Sequence, residues 1–112
     1  MSNLEAGRVL TDPAPVFAAL GDPTRLDLVS RLSDGQAHSI AHLTTGISLT
    51  RQGVTKHLRV LERAGVVRSS RVGREQRFTI APESIHQARS YLEMVSAQWD
   101  DALARLKQFV ES

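Results

Sequence analysis

The stretch TRQGVTKHLRVLERAGVV, residues 50 to 67, does most to narrow what this chain can fold into. Read at helical spacing, Val54, Leu58 and Leu61 recur at i, i+4 and i+7, giving one apolar stripe that must be buried. Gln52, Thr55, Lys56, Arg59 and Arg63 fall on the opposite side, an amide, hydroxyl and cationic surface able to reach base edges and phosphates. One face belongs to a core, and the other is equipped for recognition.

Charge is concentrated in the same region. Residues 51 to 77 hold eight basic side chains, Arg51, Lys56, Arg59, Arg63, Arg68, Arg71, Arg74 and Arg77, against Glu62 and Glu75. The rest of the chain carries six bases and ten acids, so the net charge of +2 conceals a basic middle between acidic ends. Such a distribution is the footprint of a nucleic-acid-binding surface, although a charge run also serves simply to solvate a face. A length of 112 residues allows one core, small enough for a partner subunit to matter to stability. With no cysteine, a disulfide framework and a thiolate metal site are both excluded, which suits a reducing, cytoplasmic setting. No apolar run approaches a membrane span, and MSNLEAGRVL lacks the pattern of a signal peptide.

Residues 1 to 11 show no periodicity and read as a flexible arm. Asp12 before Pro13 and Pro15 signals a helix start, with Val16, Phe17 and Leu20 as its apolar face and Gly21 as its end. Asp22 and Pro23 repeat the signal for a second helix marked by Leu26, Val29 and Leu32 and stopped at Asp34 and Gly35. Ser39 caps a third, with Ile40 and Leu43 inward, and Thr45 and Gly46 break it before Ser48 or Thr50 caps the basic helix. Short helix, glycine-containing turn, longer basic helix is the helix-turn-helix order.

After Gly65 the period falls toward two, and a hairpin turning at Gly73 is expected, with Phe78 and Ile80 facing the core. Arg71, Arg74 and Arg77 near its tip suit phosphates or a minor groove, and arginines also blunt exposed strand edges. From Pro82 onward, Ile85, Leu92, Trp99 and Leu106 fall seven residues apart, as do Ala88, Val95, Ala102 and Phe109. This pattern predicts a helix of about 25 residues, roughly 37 Å long, with a seam for another helix. Folding back on its own domain would make it overrun a small core, so dimerisation is the expectation. The chain thus divides into an arm at 1–11, a DNA-binding unit at 12–81 and a dimerisation helix at 82–112 packed on it: mainly α with a small β-hairpin.

Three pieces, ALGDPTRLDLVSRL at 19–32, VTKHLRVLERAGVV at 54–67 and VGREQRFTI at 72–80, together resemble the ArsR family of winged helix-turn-helix transcriptional repressors. The resemblance runs from Val16 to Phe109 and implies a homodimer on double-stranded DNA, with the first and last helices at the interface and each basic helix in a major groove. It thereby adds Phe17 to Ile85, Leu92, Val95, Trp99 and Leu106 as interface residues. Position by position, it implies DNA contacts from Thr50, Arg51, Gln52, Thr55, Lys56 and Arg59, and from Arg71, Arg74 and Arg77 of the wing. The residue chemistry agrees: at the helix start Gln52 can pair bidentately with adenine and Arg51 with guanine, while Lys56 and Arg59 lie further along, toward phosphates. Gly53 either permits close approach to a base or is a small residue tolerated at a turn boundary. His57 follows the family's Ser/Thr-x-His-Leu pattern and borders the apolar stripe, where a hydrogen-bonded structural role outweighs base reading.

Many members of the family release DNA on binding a metal, but the ligands are deficient here. The third-helix thiolate pair is replaced by HLTTG. The last-helix motif Asp-x-His-x10-His-x-x-Glu/His finds His86 and Asp100, but Ser84 and Ala97 occupy its other two positions. His38 and His42, one helical turn apart, lack the further donors a zinc site needs. No metal or other cofactor is expected, and no small-molecule effector is named by these residues. Tyr91 and Trp99 are better explained by packing than by a ligand pocket.

An alternative from another class is a winged-helix protein-interaction module whose basic surface meets an acidic partner, which competition by random duplex DNA would separate from DNA binding. An enzyme is not expected: there is no phosphate-binding glycine loop, no cysteine nucleophile and no carboxylate pair framed by histidine.

Overall fold

The computed structural model describes residues 12 to 111, so the expected arm at 1–11 lies outside the described residues. Element order is α1 (Ala14–Leu20), α2 (Pro23–Arg31) with a 3-10 turn at Leu32–Asp34, β1 (His38–Ser39), α3 (Ile40–Thr44), α4 (Arg51–Arg63), β2 (Val67–Val72), β3 (Glu75–Ile80) and α5 (Pro82–Glu111). The helices begin where side-chain acceptors meet orphan amides. Asp22 accepts from the Arg25 amide, Ser39 from that of His42 and Thr50 from that of Gly53. At α1 the cap is displaced by one residue: the helix starts at Ala14 behind Pro13, and the Asp12 carboxylate accepts the Ala14 N–H at 3.0 Å.

Leu28, Leu32, Leu43, Val54, Leu58, Leu61, Val66 and Phe78 are fully buried and form the core with Val16, Ala19 and Val67. Leu26, expected on the inner face of α2, is 54% exposed. Leu28 holds the core position instead, with Leu32 fully buried and Val29 partly buried as expected. The hairpin pairs Val67 with Ile80 through Val72 with Glu75. Its sheet has a third strand not expected from sequence, because His38 and Ser39 pair antiparallel with Phe78 and Arg77, making the order β1-β3-β2.

That strand also holds the first of the two neighbouring histidines. Ser39 caps α3, so helix begins only at Ile40 and His38 lies in β1. Their rings sit 4.9 Å apart and tilted by 31°, and His38 Nε2 is occupied by Asp34 at 2.9 Å.

The last helix is longer than the heptads suggested, at 30 residues or about 45 Å. Its N-terminal part is tied to the rest: Ser84 donates to the Gly65 carbonyl at 2.5 Å, Arg68 pairs with Glu83, and the Phe17 and Tyr91 rings lie 5.8 Å apart. Ala88 is the last residue of α5 to be buried. Beyond it Leu92, Trp99, Leu103, Leu106, Phe109 and Val110 are all more than half exposed, and a 3.6-residue repeat places them on one face. No helix among the described residues is long and apolar enough to cross a membrane.

Candidate nucleic-acid interface

The first amphipathic stretch is α4, whose Val54, Leu58 and Leu61 are fully buried, as its spacing requires. Thr50 caps it, accepting the Gly53 amide at 3.0 Å, and so sets where the helix begins. The preceding turn is held by Arg31, whose guanidinium donates to the Leu43 carbonyl at 3.3 Å and to the Thr45 carbonyl, satisfying the open C-terminal end of α3. Gly46 in that turn has φ of 79°, a region a β-carbon disfavours. Gly53 differs: a Cβ there would meet Thr50 Oγ1 at 3.5 Å and Leu49 Cβ at 3.7 Å, ordinary contacts, so the protomer's own packing does not demand glycine.

Asp22, Arg25 and His57 tie α4 to the α1–α2 corner. Arg25 Nε donates to the Ala19 carbonyl at 2.5 Å and its Nη1 to His57 Nδ1 at 3.1 Å, while Asp22 Oδ2 lies 3.7 Å from the same ring nitrogen. Because arginine can only donate, His57 accepts through Nδ1 and carries its proton on Nε2. This is the hydrogen-bonded structural histidine read from sequence. The Arg25 amide, aided by the Arg25 guanidinium, holds the Asp22 carboxyl below its ordinary value of 3.8. A depressed folded-state pKa contributes stability that is complete above the unfolded value and lost as pH falls through the folded one. Stability measured by urea unfolding should therefore decline from about pH 5 toward pH 3. Asp22→Asn, which keeps a capping oxygen, should flatten that decline; an unchanged profile would remove Asp22 as a cause.

The exposed face of α4 and the wing border one open groove of about 550 Å³. Arg51, Gln52, Thr55 and Lys56 line it from α4, Arg74, Glu75 and Gln76 from the hairpin, and Ser39, Ile40 and Ala41 from the start of α3. Thr55 donates its hydroxyl to the Arg51 carbonyl at 2.7 Å. Among the described residues, Arg51, Lys56, Arg71 and Arg74 form no ion pair. Arg77 instead pairs with Glu75 at 2.7 Å, and Arg59 with Glu62 at 2.7 Å. Arg71 and Arg74 are exposed around the turn at Gly73, whose φ is 64°. The groove thus unites five of the nine residues expected to meet DNA. Ser39 and Gln76 on its border were missed, though Ser39 was visible as a cap.

Of the expected interface residues, Phe17 and Ile85 are partly buried against the protomer's own core. Leu92, Trp99 and Leu106 are 54%, 64% and 57% exposed, and Val95 is intermediate.

A short helix, a tight turn, a capped basic helix and a β-hairpin beside it define a winged helix-turn-helix. Residues 20–70 match a helix-turn-helix domain family. An ArsR-like transcriptional regulator from Rhodococcus sp. RHA1 superposes with a TM-score of 0.73 at 37% identity, covering 87% of this chain and 91% of that one. The uncharacterised regulator YuzN of Bacillus subtilis is 42% identical over 65 residues, 53% of this chain and 71% of its own. The repressor SmtB of Mycobacterium tuberculosis is 30% identical over 95 residues, covering 85% of this chain and 68% of its own. The chain belongs to the ArsR family of winged helix-turn-helix transcriptional regulators.

Proposed function

We propose that the protein is a non-enzymatic, homodimeric, sequence-specific DNA-binding repressor of the cytoplasm, acting on an inverted repeat with half-sites about one helical turn, roughly 34 Å, apart. The observation that carries this reading is the single groove in which the cations of Arg51, Lys56 and Arg74 meet the amide of Gln52. A duplex supplies both complements, phosphate charge along its edges and hydrogen-bonding bases in its floor. Thr50, Arg51, Gln52 and Thr55 would face base edges, with Lys56, Arg71, Arg74 and Arg77 toward the backbone. The apolar face of α5 would duplicate the reading head, and a relative named as a repressor supports the sign of regulation.

Binding to a duplex selected by the purified protein should weaken steeply with salt, by roughly 0.9 in log–log slope for each phosphate neutralised. Gln52→Ala should relax base preference, whereas Arg74→Ala should weaken all sequences alike and reduce the slope by about one. Affinity indifferent to salt would defeat the proposal.

A further inference from the structure

Arg59 sits on the face of α4 that meets the groove, yet its side chain turns toward the wing. Its Nη1 donates to Glu62 Oε1 at 2.7 Å and its Nη2 to Gln76 Oε1 at 3.0 Å, and the guanidinium lies 5.6 Å from the centre of the Phe78 ring. The second oxygen of Glu62 accepts from Ser69 Oγ at 2.5 Å. Four polar side chains therefore close a chain of hydrogen bonds from α4 through β2 and β3, over a phenylalanine that is fully buried. The hydroxyl of Ser69, followed by Arg59, holds the Glu62 carboxyl below the usual glutamate range, so it is the charged form that receives both donors.

The place of this chain of bonds in the wing gives it a purpose. On the hairpin, Phe78 is the last fully buried residue before the tip, and Val72 is already 51% exposed. The rungs beyond it pair Ser70 with Arg77, Arg71 with Gln76 and Val72 with Glu75. Arg74, at the tip, and Gln52, on α4, stand on the two sides of the groove. The separation of those sides is therefore governed by whatever joins the distal hairpin to α4, and Arg59–Gln76 is that joint.

We propose that Arg59, Glu62, Ser69 and Gln76 form a latch that sets the angle of the wing against the reading helix, making Arg59 a positioning residue rather than a phosphate contact. This rests on the DNA-binding reading above. Arginine suits the role because its planar fork can hold a carboxylate and an amide oxygen at once, which a lysine ammonium does with no fixed geometry.

Glu62→Gln separates the two roles by sign. If Arg59 contacted phosphate, removing the neighbouring carboxylate would free it, add a positive charge and tighten binding. With the latch, the same substitution should weaken binding to the selected duplex about tenfold or more, the loss expected when a charge-assisted hydrogen bond is broken. Arg59→Lys should weaken it similarly. Arg59→Gln should leave the salt slope unchanged, in contrast to the decrease of about one expected for Arg74→Ala. Tighter or unaltered binding by Glu62→Gln would overturn the latch, and so would an Arg59→Gln slope reduced by about one. Ser69→Ala removes one hydrogen bond without changing charge, and serves the same purpose if Glu62→Gln fails to fold. The free protein gives a reading independent of DNA. Amide exchange at residues 71 to 76 should accelerate in Glu62→Gln or Ser69→Ala, and exchange at the wild-type rate would refute the latch even where DNA binding fails altogether.

Discussion

A protein carrying Leu92→Asp and Leu106→Asp should sediment as a folded monomer and lose binding to its selected duplex by about 10² to 10⁴, the range by which linking two binding modules raises avidity. The fold should survive because both side chains are more than half exposed in the protomer, so neither belongs to the core behind the reading helix. Dimerisation should not, because each aspartate would bury a charge in an apolar seam. The chain has a single tryptophan, Trp99, on this face at 64% exposure. Its emission should shift to longer wavelength as the substituted protein loses its partner. Sedimentation as a dimer would move the interface elsewhere, and undiminished affinity in a monomer would show that one reading head suffices.

Leu58→Ala should act on the other side of the same design. Leu58 is fully buried beneath α4, in the row that seats the helix on the core. Truncation should cost about 2–5 kcal/mol, combining lost transfer free energy with the cavity left behind. Against a typical stability of about 5–15 kcal/mol this is a large fraction, and it should appear as a lowered urea midpoint with an unchanged slope. DNA affinity should fall only as far as the folded population falls. A loss of less than about 1 kcal/mol would mean that neighbours collapse into the space, and that the core under α4 is softer than its burial indicates.

The parts of this fold legible in the sequence are those written in local chemistry. Asp22, Ser39 and Thr50 each cap a helix within three residues, and Gly35, Gly46, Gly65 and Gly73 all adopt positive φ where segments end. Val54, Leu58 and Leu61 declare their burial by spacing alone. What escaped notice depends on distant partners. β1 is two residues long and exists only because Phe78 and Arg77 lie alongside, so no period within His38–Ser39 announces it. The same gap explains Arg59: its helical position points to the groove, but Gln76, seventeen residues on, redirects its side chain. Leu26 misled for a different reason, since Leu28 and Leu26 both fit an apolar repeat and only the packing of α2 decides between them.

The short third strand has a mechanical meaning. β1 flanks β3 only at Phe78 and Arg77, whereas β2 follows it for six rungs to the turn. The wing is thus a cantilever, flanked on both sides at mid-strand, tied to α4 at Gln76 and overhanging only at its turn. Two-stranded ribbons twist more readily than wider sheets. Arg74 consequently rides on a short overhang beyond a braced mount; in the proposed complex, that overhang would adjust to groove width while the helix beside it keeps its register.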